Sequence, residues 1–184
     1  LANGVFNPNV IEKANDIMLG EGAVYVDYGE AGEDIIGATQ GGSKVDIGID
    51  IKEIPYDGSY GPTKGLRRYI RFVPKLVVNF LKLTYATFNC GLPTTTTDGT
   101  DADGTYKKTV FRLNYESTDV KTNISFKGYK QDGKVCLIKL LNALNIDKVS
   151  LEFKGEEVVA QMTYTGFYTY AAPTTPPIEI WDYV

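Results

Sequence analysis

Between residues 37 and 84, two runs with strand periodicity flank a loop that is too long and too polar for a tight hairpin turn. From 44 to 54 the residues alternate, with Val45, Ile47, Ile49 and Ile51 on one side and Lys44, Asp46, Gly48, Asp50 and Lys52 on the other. Successive side chains of an extended chain point to opposite faces, so this segment predicts a half-buried strand with a polar, partly acidic second face. The loop 55–65 holds Asp57-Gly58, Gly61-Pro62 and Gly65, all turn formers. Strand patterns resume at 66–73 and 75–85, separated by Pro74, whose missing N–H marks an edge, a bulge or a strand junction. A long loop carried on a rigid sheet is a device for touching another molecule. With no catalytic pattern beside it, the stretch reads as part of a building block.

Further strand patterns occupy 23–28, 105–116, 120–129, 148–154 and 157–170. The run KVCLIKLLNALN at 134–145 predicts the one helix, apolar over most of its girth and therefore covered on more than one side. TTTTDGTDADG at 94–104 has no core-forming residue and reads as a surface loop. Residues 1–20 form an N-terminal arm, either extended or a short amphipathic helix that places Val10, Ala14, Ile17 and Met18 on one face. Residues 171–184 form a Pro-rich C-terminal arm that ends in the apolar anchors Ile178, Ile180 and Trp181. At 184 residues the expectation is one domain, 1–184, able to bury about 70% of its unfolded surface without disulfides.

Composition removes several kinds of chemistry. The chain has no histidine, so it has neither an imidazole base nor a Ser-His triad. Two cysteines are too few for a disulfide framework or a zinc site, and Cys136 reads as an inert buried thiol. Gly99–Gly104 resembles a calcium loop but lacks carboxylates at its first and twelfth positions, Gly99 and Val110. Glu152, Glu156 and Glu157 sit in a charged hairpin where solvated faces are the default. No run reaches ~18 apolar residues, so no transmembrane helix is expected, and the opening residues lack a secretion signal. Lys64, Arg67, Arg68, Arg71 and Lys75 with Tyr69 and Phe72 make a nucleic-acid-like cluster. The net charge of −4 weighs against that, and salt bridges to a partner subunit explain the cluster more simply.

The run GATQGGSKVDIGIDIKEIPYDGSYGPTKGLRR, the opening GVFNPNVIEKANDIMLGEGAVYVDYGE, the KVCLIKLLNALN region and the ending YTYAAPTTPPIEIW resemble the major tail (tail tube) proteins of tailed phages of Gram-positive bacteria. The likeness runs over nearly the full length. It implies a mainly β fold, an antiparallel sandwich or partly closed barrel with one packed helix. It also implies hexameric rings stacked into a hollow virion tail tube, assembled in the host cytoplasm. The partners implied are further copies of the chain, other tail proteins, and double-stranded DNA that passes through the lumen without specific binding. No membrane, cofactor, metal or catalytic residue is implied. Within this frame Tyr56, Asp57, Tyr60, Lys64, Arg67 and Arg68 are expected at the ring-to-ring contact. Asp46 and Asp50 are expected to face the lumen and repel phosphates, while Ile17, Met18, Ile178, Ile180 and Trp181 anchor the arms. The rival expectations are a β-sandwich module binding carbohydrate or a host receptor, and the inner tube of a contractile tail or a tail-like bacteriocin.

Overall fold

The computed structural model of the protein describes residues 18–37, 39–58, 61, 64–81, 84–151 and 158–184. They run through β1 (Met18–Val26), β2 (Asp34–Ile35), β3 (Thr39–Glu53), β4 (Arg67–Phe80), α1 (Tyr85–Asn89), β5 (Thr94–Asp101), β6 (Gly104–Phe111) and β7 (Lys121–Lys130). Then follow β8 (Val135–Asn145), β9 (Ser150–Leu151), β10 (Ala160–Gly166) and β11 (Ile178–Asp182). One sheet has the order β2-β1-β7-β8-β10-β4-β3, with β11 added beside β8 and β9 beside β10; β5 and β6 form a separate hairpin. All of these pairings are antiparallel. The chain is mainly β and sandwich-like, as its sequence predicts, and the sheet does not close into a barrel.

Alternation builds the core. Leu76, Val78 and Phe80 on β4 and Ala160, Met162 and Tyr164 on β10 are fully buried on one face. They cluster with Val24 of β1, Ile124 of β7 and Leu140 of β8, so the sheet curls until its two halves face each other. The Tyr164 ring meets Phe80 edge to face at 6.4 Å, and its hydroxyl donates to the Met162 sulfur at 3.4 Å. Burial holds the Tyr164 phenol well above its ordinary pKa and pushes the neighbouring Cys90 thiol up to about 12.

Two expectations about local structure need correction. Residues 134–145 are not a helix: 135–145 form β8, the central strand, flanked by β7 on one side and by β11 and β10 on the other. A strand covered on both faces loses its alternation, and its unbroken apolar run then mimics a buried helix. The only helix among the described residues is the five-residue α1, N-capped by Thr84, whose hydroxyl accepts from the Thr87 N–H. The stretch 94–104 is mostly β5 and its turn, paired with β6 from Thr94↔Phe111 to Asp101↔Gly104. Its threonines suit an extended chain, and Lys107 ties the hairpin by an ion pair to Asp98 at 2.7 Å.

The sheet forks, and the fork positions everything that follows. β8 pairs with β11 up to Leu140↔Ile178 and with β10 from Ala143↔Gly166 onward. At the switch Asn142 takes φ 49°, a left-handed conformation that asparagine tolerates, and its amide donates to the Phe167 carbonyl at 3.1 Å. The β10–β4 ladder stops at Thr165↔Lys75. Beyond it β4 pairs with β3 alone, out to Arg67↔Glu53. Phe72 turns its N–H to the flank that β10 has vacated, where the Tyr168 hydroxyl accepts it at 2.7 Å. Pro74, two residues on, faces the same flank and has no N–H to satisfy. It marks a strand junction, one of the roles its sequence position allows.

Candidate assembly surface

Past the fork the β3–β4 hairpin is a two-stranded arm. Val45, Ile47 and Ile49 lie opposite Leu76, Pro74 and Phe72, so the core-facing side of β4 runs straight out along the arm. Leu76 and Pro74 are buried, but Ile47, Ile49 and Ile51 are 43%, 45% and 47% exposed. Ile54, Tyr69 and Ile70 are exposed beside them. The sequence correctly places the isoleucines on one face but gives no sign that the covering layer ends below them. β3 also ends the sheet, so its outer edge has no strand beside it among the described residues. An apolar face and an open edge on one element mark a contact site. The edge is not flat: the ladder shifts between Thr39 and Ser43, and again at Asp50 and Ile51, where Ile70 is an extra residue on β4.

The polar face holds the expected lumen residues. Asp46 and Asp50 are both exposed, and each has a cation of its own chain, Lys44 at 2.8 Å and Arg71 across the ladder. Arg67 pairs with Glu53 and Lys75 with Asp147. Of the basic cluster, then, Arg67, Arg71 and Lys75 are neutralised within the chain. Among the described residues no carboxylate pairs with Lys52, Lys64 or Arg68, all exposed and all near the tip. The Ile54 N–H donates to the Leu66 carbonyl at 2.9 Å, closing the loop from which Tyr56, Asp57 and Lys64 face solvent. Tyr60 lies outside the described residues, as does Ile17.

The two arms are placed differently from expectation. Met18, expected to anchor an arm, opens β1, a strand of the main sheet, and residues 1–17 lie outside the described residues. The C-terminal segment docks on its own chain: Ile178, Ile180 and Trp181 pair with Leu140, Ile138 and Leu137. Open main-chain groups along the lower half of β8 need a partner, and the chain supplies its own. Trp181 lies under Lys139, whose ammonium is 5.4 Å from the ring, and Lys130, largely buried, pairs with Asp182.

On the back of the sheet a groove of about 800 Å³ is lined by Tyr115, Leu144, Ile146, Phe167 and Tyr170 among others, with Tyr170 fully exposed. The sequence pattern hides it, because Tyr115, Phe167 and Tyr170 fall inside the runs 105–116 and 157–170 read as strands, whereas β6 ends at Phe111 and β10 at Gly166. Among the described residues no group of three or more Cys, Asp or Glu side chains could hold a metal, and no helix is long and apolar enough to cross a membrane. No protein-family model and no curated protein matches the chain.

Proposed function

We propose that this chain is a structural subunit that assembles with copies of itself into stacked rings, the tail tube of a tailed phage, around a lumen through which double-stranded DNA passes. The observation that carries the proposal is the β3–β4 arm, whose core-face isoleucines are exposed and whose outer edge is unpaired among the described residues. Joining such edges in a closed ring removes what would otherwise be an aggregation template. In the tube the alternating charges of Lys44, Asp46, Asp50 and Arg71 form the wall facing the DNA. Because both carboxylates carry their own cations, that wall is hydrated and close to neutral, and phosphates slide past it without a site to hold them. Negative-stain microscopy of the concentrated, purified protein is expected to show rings or tubes. A single species of 20.3 kDa at every concentration would overturn the proposal.

The aromatic groove favours a second reading, a binding module in which Tyr115, Phe167 and Tyr170 stack on sugar rings. Saturable glycan binding by a protein that stays monomeric would select it. A tube within a contractile tail or a tail-like bacteriocin would use the same surfaces and differ only in the sheath around it.

A further inference from the structure

The β1–β2 turn, DYGEAGED at 27–34, carries Asp27, Glu30, Glu33 and Asp34, and the last three are exposed. Hydrogen bonds fix its shape: Glu30 N–H to the Asp27 carbonyl at 2.9 Å, Gly29 N–H to the Glu33 carboxylate at 2.9 Å, and Tyr28 N–H to Asn123 at 2.9 Å. Among the described residues no cation forms an ion pair with these four carboxylates. They are opposite in sign to Lys52, Lys64 and Arg68 at the far tip, which pair with no carboxylate among the described residues and outnumber the exposed Asp57 beside them.

Topology sets the direction. Each step along β1-β7-β8-β10-β4-β3 reverses the strand, so after five antiparallel pairings β3 runs opposite to β1. β1 ends at the acidic turn, and β3 ends at the basic tip. The two charged features therefore lie at opposite ends of the same ladder, and one copy cannot bring its own pair together.

We infer that the basic hairpin tip of one copy seats on the acidic β1–β2 turn of the next, so that copies add head to tail along one axis. The inference rests on the self-assembly reading above and names the mating surface on the second copy. A contact between two different patches of the same chain leaves a free end of each kind after every addition, which is the geometry of an open stack. The isoleucine face of the arm supplies burial once the charges have aligned the copies, and the charges supply register and encounter rate. Since Glu30, Glu33 and Asp34 and the three cations are exposed, salt screens them over about 8 Å at physiological strength, and assembly weakens as salt rises.

Charge reversal tests this on the full chain. One variant carries Lys52→Glu with Arg68→Glu, the other Glu30→Lys with Glu33→Lys; far-UV circular dichroism and melting temperature report the fold. Each alone is expected to need about tenfold more protein to sediment as assemblies than the wild type. An equimolar mixture regains wild-type sedimentation, because each reversed tip then meets a reversed turn and each native tip a native turn. A chain with all four changes assembles by itself. Wild-type behaviour of both single-end variants, or a mixture no better than its components, overturns the inference while leaving self-assembly intact. A wild-type chain that never associates overturns both.

Discussion

At the scale of single residues, two buried positions report on the core directly. Cys90 is buried, and its thiol is pushed up to about 12 by loss of solvent, whereas Cys136 is only partly covered. A maleimide at mildly alkaline pH is expected to label Cys136 alone in the folded protein and both thiols in denaturant; rapid native labelling of Cys90 would contradict the packing. The same shift sets a pH dependence. The unfolded chain releases this proton near 9.0 and the folded chain holds it to about 12, so stability from this group is full below 9.0 and is lost as pH rises between the two. Urea midpoints should fall over that interval, with a shallower slope in Cys90→Ala. At the fork, a Cβ on Gly166 would lie 2.8 Å from the Pro177 carbonyl and 3.2 Å from that of Leu141. Both obstacles are backbone, so Gly166→Ala should cost about 1–3 kcal/mol in denaturant unfolding, and an unchanged midpoint would show that the fork can open.

At the scale of elements, the arm and the C-terminal strand make different demands. The described residues of 56–64 are all exposed, so deleting this segment should leave the subunit its melting temperature and stop it forming rings; normal tubes would remove the tip from the contact. Ile49→Ser with Ile51→Ser should act in the same direction, since both side chains already face water in the single subunit. Truncation after Ala172 is different: it strips β11 from β8 and should lower thermal stability as well as assembly. Legibility in the sequence follows the same division. β3 and β7 could be read because polar and apolar residues alternate along each, even though Asn123 and Ser125 on the polar face of β7 are buried, and Pro74 because a missing donor has few uses. β8 could not, because coverage on both sides erased its period. Two local signals still marked it, the Asp132-Gly133 turn that joins it to β7 and Asn142 within the apolar run. The candidate tip residues were visible as a loop. Which cations remain unpaired, and that the acidic turn lies at the opposite end, depend on long-range pairing that no local pattern encodes.

At the scale of the whole molecule, the fold separates a well-packed body from a projecting arm. Circular dichroism of the subunit should be β-type with little helix, and a substantial helical component would contradict β8. Sedimentation should depend on both protein concentration and salt, because the arm joins apolar burial to exposed charge. The two irregularities along β3 bear on how such a subunit survives before it finds its neighbours. A straight, evenly spaced rim would accept any passing β-segment and invite fibres. A kinked rim accepts only a strand shaped to it, so on the proposed assembly newly made copies accumulate in solution as a usable reserve until a growing end recruits them.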